Sequence, residues 1–132
     1  MKRTNGVTLA SALALVGSLA IVGAQQPTVK RTELQRGDLS VPGREVVMAR
    51  AEIPAGAATG RHTHPGEEVS YVMTGNVMLE VEGKPTRMLK AGDVFIVPAG
   101  TIHNGMNHES GTATVIATYI VEKGKPLTTP VP

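Results

Sequence analysis

Between Asn76 and Glu82 the chain alternates strictly: Val77, Leu79 and Val81 fall on one face, Met78, Glu80 and Glu82 on the other. A period of two sends successive side chains to opposite sides of an extended backbone, so the segment predicts a strand with one buried face. Comparable runs recur along the chain. Val46 to Ile53 is closed by Pro54-Ala55-Gly56, and Glu68 to Met73 ends at Thr74-Gly75-Asn76. Beyond the alternating segment, Glu82-Gly83-Lys84-Pro85 predicts a turn, Arg87 to Leu89 a short strand, and Ala91-Gly92-Asp93 a second turn. Val94 to Val97 is apolar and stops at Pro98, and Thr112 to Glu122 is the longest predicted strand. No segment after residue 24 carries a helical period. Six or more short strands punctuated by Gly and Pro predict an all-β fold, a sandwich or a barrel.

The ends read differently. Lys2 and Arg3 precede an apolar stretch from Val7 to Val22, and Val22-Gly23-Ala24 supplies the small side chains that a signal peptidase requires. Residues 1–24 are therefore expected to be a signal peptide, cleaved before Gln25, with export to the periplasm or the medium. An uncleaved anchor is the alternative, since Val7 to Ala24 approaches the roughly 18 apolar residues that span a bilayer. Its Ala, Gly and Ser content makes it a weak span. Residues 25–43 are polar and read as an N-terminal arm, with Arg36-Gly37-Asp38 as a turn. Residues 44–123 read as the barrel, and residues 124–132, with three prolines, as an extended tail.

Composition narrows the functions. The 132 residues suit one domain. Thirteen basic residues against eleven acidic ones give a net charge of +2, which vanishes if Lys2 and Arg3 leave with the signal. No basic footprint for nucleic acid then remains, and no stable membrane association is expected after cleavage. With no cysteine, disulfides, thiolate catalysis and iron–sulfur chemistry are excluded. Only Tyr71, Phe95 and Tyr119 are aromatic, so the core must be aliphatic and an aromatic ligand cage is not expected.

Four candidate metal ligands form two clusters. His62 and His64 are two apart, so on extended backbone both rings leave the same face. Pro65-Gly66 can turn the chain and bring Glu68 back onto them, and a barrel could place His103, just past Pro98-Ala99-Gly100, opposite the pair. Taken singly, a His-x-His pair is more often a surface or turn feature than a ligand pair, and His103 alone reads as a turn histidine. His108, in Asn107-His108-Glu109-Ser110-Gly111, reads as a solvated loop residue. Three imidazoles and a carboxylate suit Mn, Fe, Co, Ni, Cu or Zn as divalent ions, and suit Ca or Mg poorly.

The glycine spacing adds weight to the set. Gly56, five residues, His62-Thr63-His64, three residues, Glu68, six residues and Gly75 resembles the first cupin motif at every fixed position. Gly92, five residues, Pro98-Ala99-Gly100, two residues, His103, three residues and Asn107 resembles the second. The resemblance covers about half of residues 25–132. It implies a double-stranded β-helix, or jelly-roll, barrel with one divalent metal on His62, His64, Glu68 and His103. It also implies turn roles for Gly56, Gly75, Gly92 and Gly100, and a structural role for Asn107.

Function is less constrained, because this fold hosts many chemistries. The leading expectation is a metal-dependent enzyme resembling the single-domain quercetin-dioxygenase-like cupins, acting on a small oxygenated substrate with Glu68 as base. Isomerase, hydratase or lyase chemistry on a sugar acid is the second reading, and an exported metal or small-ligand binding module the third. Arg61 alternates with His62 and is expected to face away from the metal; no other Arg or Lys lies in the ligand segments, which gives little support for a strongly anionic substrate. Tyr119 reads as core packing rather than cavity lining. Homodimerisation through edge strands and the N-terminal arm is a further expectation.

Overall fold

The structure, a computed structural model, describes residues 25–132. The expected signal peptide therefore lies outside the described residues. Ten strands follow in chain order: β1 (Lys30–Asp38), β2 (Arg44–Ile53), β3 (His62–Thr63), β4 (Gly66–Thr74), β5 (Asn76–Val81), β6 (Arg87–Lys90), β7 (Val94–Val97), β8 (His103–Met106), β9 (Ala113–Glu122) and β10 (Thr129–Pro130). No helix occurs among the described residues. The strands form two five-stranded sheets in the orders β1-β2-β9-β4-β7 and β10-β3-β8-β5-β6, every pairing antiparallel.

Alternation decides which side chains meet between the sheets. Val47, Ala49, Ala51 and Ile53 of β2 are buried, as are Ala113, Val115, Ala117, Tyr119 and Val121 of β9. Val77, Leu79 and Val81 of β5 are buried too, so the face read from their alternation is the inner one. One end of the interior is plugged by Ile53, Val72, Val77, Leu89, Phe95 and Val115. Aliphatic packing of this kind contributes roughly 25 cal/mol for each Å² of apolar surface removed from water. Toward the other end the inward row of β2 and β9 shrinks to Ala49, Ala51 and Ala117, and polar groups replace apolar ones. Outside, Val69, Tyr71 and Met73 of β4 adjoin Val94 and Ile96 of β7 in an exposed apolar patch.

Two expectations about the ends are revised. The segment read as an arm contains β1, a nine-residue strand paired along β2 from Lys30↔Glu52 to Asp38↔Glu45, with a bulge between Glu33 and Gln35. Arg36-Gly37-Asp38 is the end of that strand, not a turn. The polar composition of β1 hid it, because an edge strand leaves most of its side chains in water and shows no apolar alternation. At the other end, the proline-rich tail folds back. Leu127 packs partly buried against Val47, Ala117 and Tyr119, and β10 pairs with β3.

Pro65-Gly66 does more than turn the chain. A Cβ on Gly66 would stand 1.9 Å from the Ile120 carbonyl oxygen and 2.7 Å from Val121 Cα, so β4 passes β9 at a distance only glycine permits. Gly75 combines a positive φ of 73° with a Cβ position 2.8 Å from Ala113 Cα. Gly66→Ala should therefore cost at least about 2 kcal/mol, since the contact is with backbone and cannot be relieved by a rotamer change. Gly37→Ala, with no atom within 4 Å of the added carbon, should stay within about 0.5 kcal/mol. Urea unfolding of both variants beside the wild type measures the difference.

Candidate metal centre

Both sheets contribute to one polar cluster. His62 on β3 is paired directly with His103 on β8, so the two rings leave neighbouring strands on the same inner face. His64 follows β3, and its carbonyl accepts the Gly100 amide at 3.0 Å, which ties the turn before His103 to the first ligand segment. Glu68 comes from the opposite sheet, where β4 sets it beside Tyr119 of β9 and Val97 of β7. The four expected ligands are all buried and converge. The three imidazoles lie with centroids 4.2 to 5.0 Å apart, and their ligand nitrogens fall within 4.8 Å of one another. His108, read as solvated, is exposed.

The backbone fixes how each ring presents itself. His62 Nδ1 bonds the Gly60 carbonyl at 2.7 Å, His64 Nδ1 the Leu127 carbonyl at 2.6 Å, and His103 Nδ1 the Thr101 carbonyl at 3.0 Å. A carbonyl only accepts, so each Nδ1 carries the proton. In the neutral ring the Nε2 lone pair is then left facing inward. Glu68 Oε2 stands 3.1 Å from Nε2 of both His64 and His103. An acceptor oxygen that close to two acceptor nitrogens is repulsive unless a proton or a cation lies between them. The His64 contact lacks hydrogen-bond geometry, so that buried Nε2 has no partner among the described residues.

These observations fit a metal. Two ligand atoms at right angles, each about 2.1 Å from a divalent ion, are about 3.0 Å apart, close to the separations Glu68 makes with His64 and His103. A buried nitrogen lone pair with no donor is costly without such a partner and unremarkable with one.

Electrostatics agree. Burial first, opposed by the Gly60 carbonyl and helped by the neighbouring His103 and His64, brings the His62 imidazole down to about 4. The ring is thus neutral near pH 7 and free to ligate. For Glu68, burial raises the pKa, but contacts with His103, His64 and Ser70 outweigh it and hold the carboxyl well below the ordinary range. Ser70 Oγ donates to Oε1 at 2.6 Å, leaving Oε2 to face the imidazoles.

A cavity of about 40 Å³ opens beside the cluster, several times the roughly 10–15 Å³ that a single water requires. Small inward residues make room for it: Ala51, Gly105 and Ala117 line it together with His62, Glu68, His103 and Tyr119. Two residues change roles here. Tyr119, read as core packing, is buried but also lines the cavity, its ring 4.6 Å from that of His64. Burial, and next the Glu68 charge, push its phenol up to about 12, so it stays a hydrogen-bond donor. Arg31, not singled out from the sequence, lines the mouth from β1. Arg61 does face away, its guanidinium bonding the Pro132 carbonyl at 3.1 Å. Asn107 is structural: its Nδ2 donates to the Ile53 and Gly111 carbonyls and its Oδ1 accepts the Glu109 amide.

Residues 49–119, just over half of the sequence, match the sequence model of the cupin domain. The chain belongs to the cupin family. Among similar proteins, a 3-hydroxyanthranilate 3,4-dioxygenase of Burkholderia cenocepacia is 37% identical over 71 residues, 52% of this cupin and 38% of the relative. Dimethylsulfoniopropionate lyase DddQ of Ruegeria pomeroyi is 37% identical over 51 residues, 39% of this cupin and 25% of the relative. The cupin thus spans little more than a third, or less, of the length of such curated relatives. A cupin-like protein of Thermotoga maritima superposes with a TM-score of 0.64 at 24% identity, over 78% of this cupin and 75% of that chain, and shows the same fold.

The His62 shift carries a sign. The unfolded chain takes up a proton near pH 6.5 and the folded one only near about 4. Between those values the unfolded state binds more protons, so stability falls as pH drops through that window and is unaffected by this group above it. Chemical denaturation of metal-free protein at pH 7, 6, 5 and 4 should show the loss. A His62→Gln variant should lose less over the same range.

Proposed function

We propose that this cupin holds one divalent transition metal on His62, His64, His103 and Glu68, and acts as a dioxygenase-type enzyme on a small oxygenated organic substrate. The observation that carries the reading is the orientation of the three imidazoles, each locked through Nδ1, with Nε2 of His64 and of His103 3.1 Å from a buried carboxylate oxygen of Glu68. A bound metal would supply Lewis acidity and, if redox-active, reaction with O₂. His103 Nε2 cannot both donate to Glu68 and serve as a ligand, so that hydrogen bond belongs to the metal-free protein. The Ser70 bond to Oε1 persists, so Glu68 would take a proton from a substrate hydroxyl through Oε2 only while that oxygen is not serving as a metal ligand. Tyr119, a standing donor, orients a substrate oxygen in the cavity. The apolar walls from Ile53, Val77, Leu79 and Phe95 exclude water. Similarity to the 3-hydroxyanthranilate dioxygenase supports oxygen chemistry. Similarity to the DddQ lyase supports a second reading, in which the same Glu68 removes a proton and no O₂ is consumed. Export rests on the Met1–Ala24 pattern and is part of the proposal.

Elemental analysis of protein purified without added metal should find about one equivalent of manganese, iron, nickel or copper per chain, and less than about a tenth of that in His62→Ala or His103→Ala. His108→Ala should retain the full amount. Protein that stays metal-free after reconstitution would overturn the centre. With metal present, turnover that continues in a sealed anaerobic vessel, or with zinc substituted, would exclude the dioxygenase reading in favour of the lyase one.

A further inference from the structure

Arg31 is placed unlike the other arginines near the barrel. Arg36, Arg50 and Arg61 each have a carboxylate within 4.0 Å: Arg36 with Glu33 and Glu45, Arg50 with Glu52, Arg61 with Glu82. Arg31, Arg44 and Arg87 form no such pair among the described residues, and of these three Arg31 alone lines the cavity that holds His62, Glu68, His103 and Tyr119. The strand register explains how it gets there. Arg31 is the direct partner of Ala51, and Ala51 points inward. Side chains of paired residues share a face, so Arg31 is aimed over the rim into the interior, above an alanine too small to block it. It is nonetheless exposed at its own strand, with its stem at the mouth.

We infer that Arg31 is a specificity-determining residue that binds the carboxylate of a small organic acid entering the cavity, the rest of that acid reaching toward the three histidines. A guanidinium presents a planar fork of donors that fits a carboxylate in two parallel hydrogen bonds. The remaining wall is mostly aliphatic, so Arg31 and the polar cluster are the two anchor points available to a ligand. Glu68 is the one acidic residue lining the cavity; against it stand Arg31 and, on the reading above, a divalent cation, which leaves an excess of positive charge for an anion to neutralise. The cavity volume restricts the acid to a few heavy atoms. The inference deepens the proposed function and rests on it for the cation, but not for Arg31 itself.

The test uses glycolate and its neutral amide, glycolamide, titrated calorimetrically into wild-type, Arg31→Met and Arg31→Lys proteins, each metal-loaded and metal-stripped, with metal content measured on the same samples. Wild type should bind glycolate at least about tenfold more tightly than glycolamide; Arg31→Met should lose that preference, and Arg31→Lys should keep part of it. Metal content should not change, because Arg31 is no ligand. Equal glycolate binding by Arg31→Met, an amide bound as well as the acid, or no carboxylate binding by fully loaded wild type would each overturn the inference. Protein that binds no metal but still prefers glycolate through Arg31 would overturn the metal centre and leave this inference standing.

Discussion

Three backbone carbonyls decide what the barrel interior can do. Those of Gly60, Thr101 and Leu127 each take a proton from one imidazole Nδ1, and in doing so commit the opposite nitrogen to the interior. Imidazole has two faces for chemistry and would otherwise divide its proton between them. Because the acceptors are main chain, no side-chain substitution removes them; the orientation is set by the path of the backbone. The paths differ for each ring. Gly60 and Thr101 each lie two residues before the histidine they serve, so those contacts are local, whereas Leu127 arrives from the far end of the chain. The centre therefore depends on the tail closing against β3 as well as on the sheets themselves.

Much of the fold, and the four residues that the structure brings together in one buried cluster, were legible before the structure, for different physical reasons. Strands with one buried face announce themselves by alternation, which is why β5 could be read almost to the residue. The histidines and Glu68 became legible through glycine and proline spacing, because turns that need a positive φ or a close approach tolerate few substitutes. Where neither signal operates, the sequence is silent. β1 is polar on both faces because it lies at an edge, so its nine residues looked like an arm. That the extended tail would fold back was hidden for a similar reason: two of its anchors, at Leu127 and Val131, are made by main-chain atoms that no residue type advertises.

That silence concealed the residue bearing most on specificity. Arg31 lies thirty-one residues from His62 and in a segment without apolar pattern, yet strand pairing brings it to the mouth of the same cavity. Cations counted along the ligand segments alone gave an incomplete picture of charge. Tyr119 shows the converse limit. Its place on the last strand was readable, but whether an inward tyrosine packs in a core or borders a cavity depends on its surroundings, here Ala117 two residues before it and Ala51 on β2, which are small enough to leave space.

Those alanines bear on how such a protein could change over generations. Any alanine codon becomes a valine codon by a single nucleotide exchange, and each exchange at Ala51 or Ala117 would add two methyl groups' worth of wall to the cavity without touching a histidine or its carbonyl. The shape of the cavity and its polar cluster are thus encoded on different strands, the alanines on β2 and β9, the histidines and Glu68 on or beside β3, β4 and β8. A lineage can drift in what it admits while the histidine cluster stays fixed.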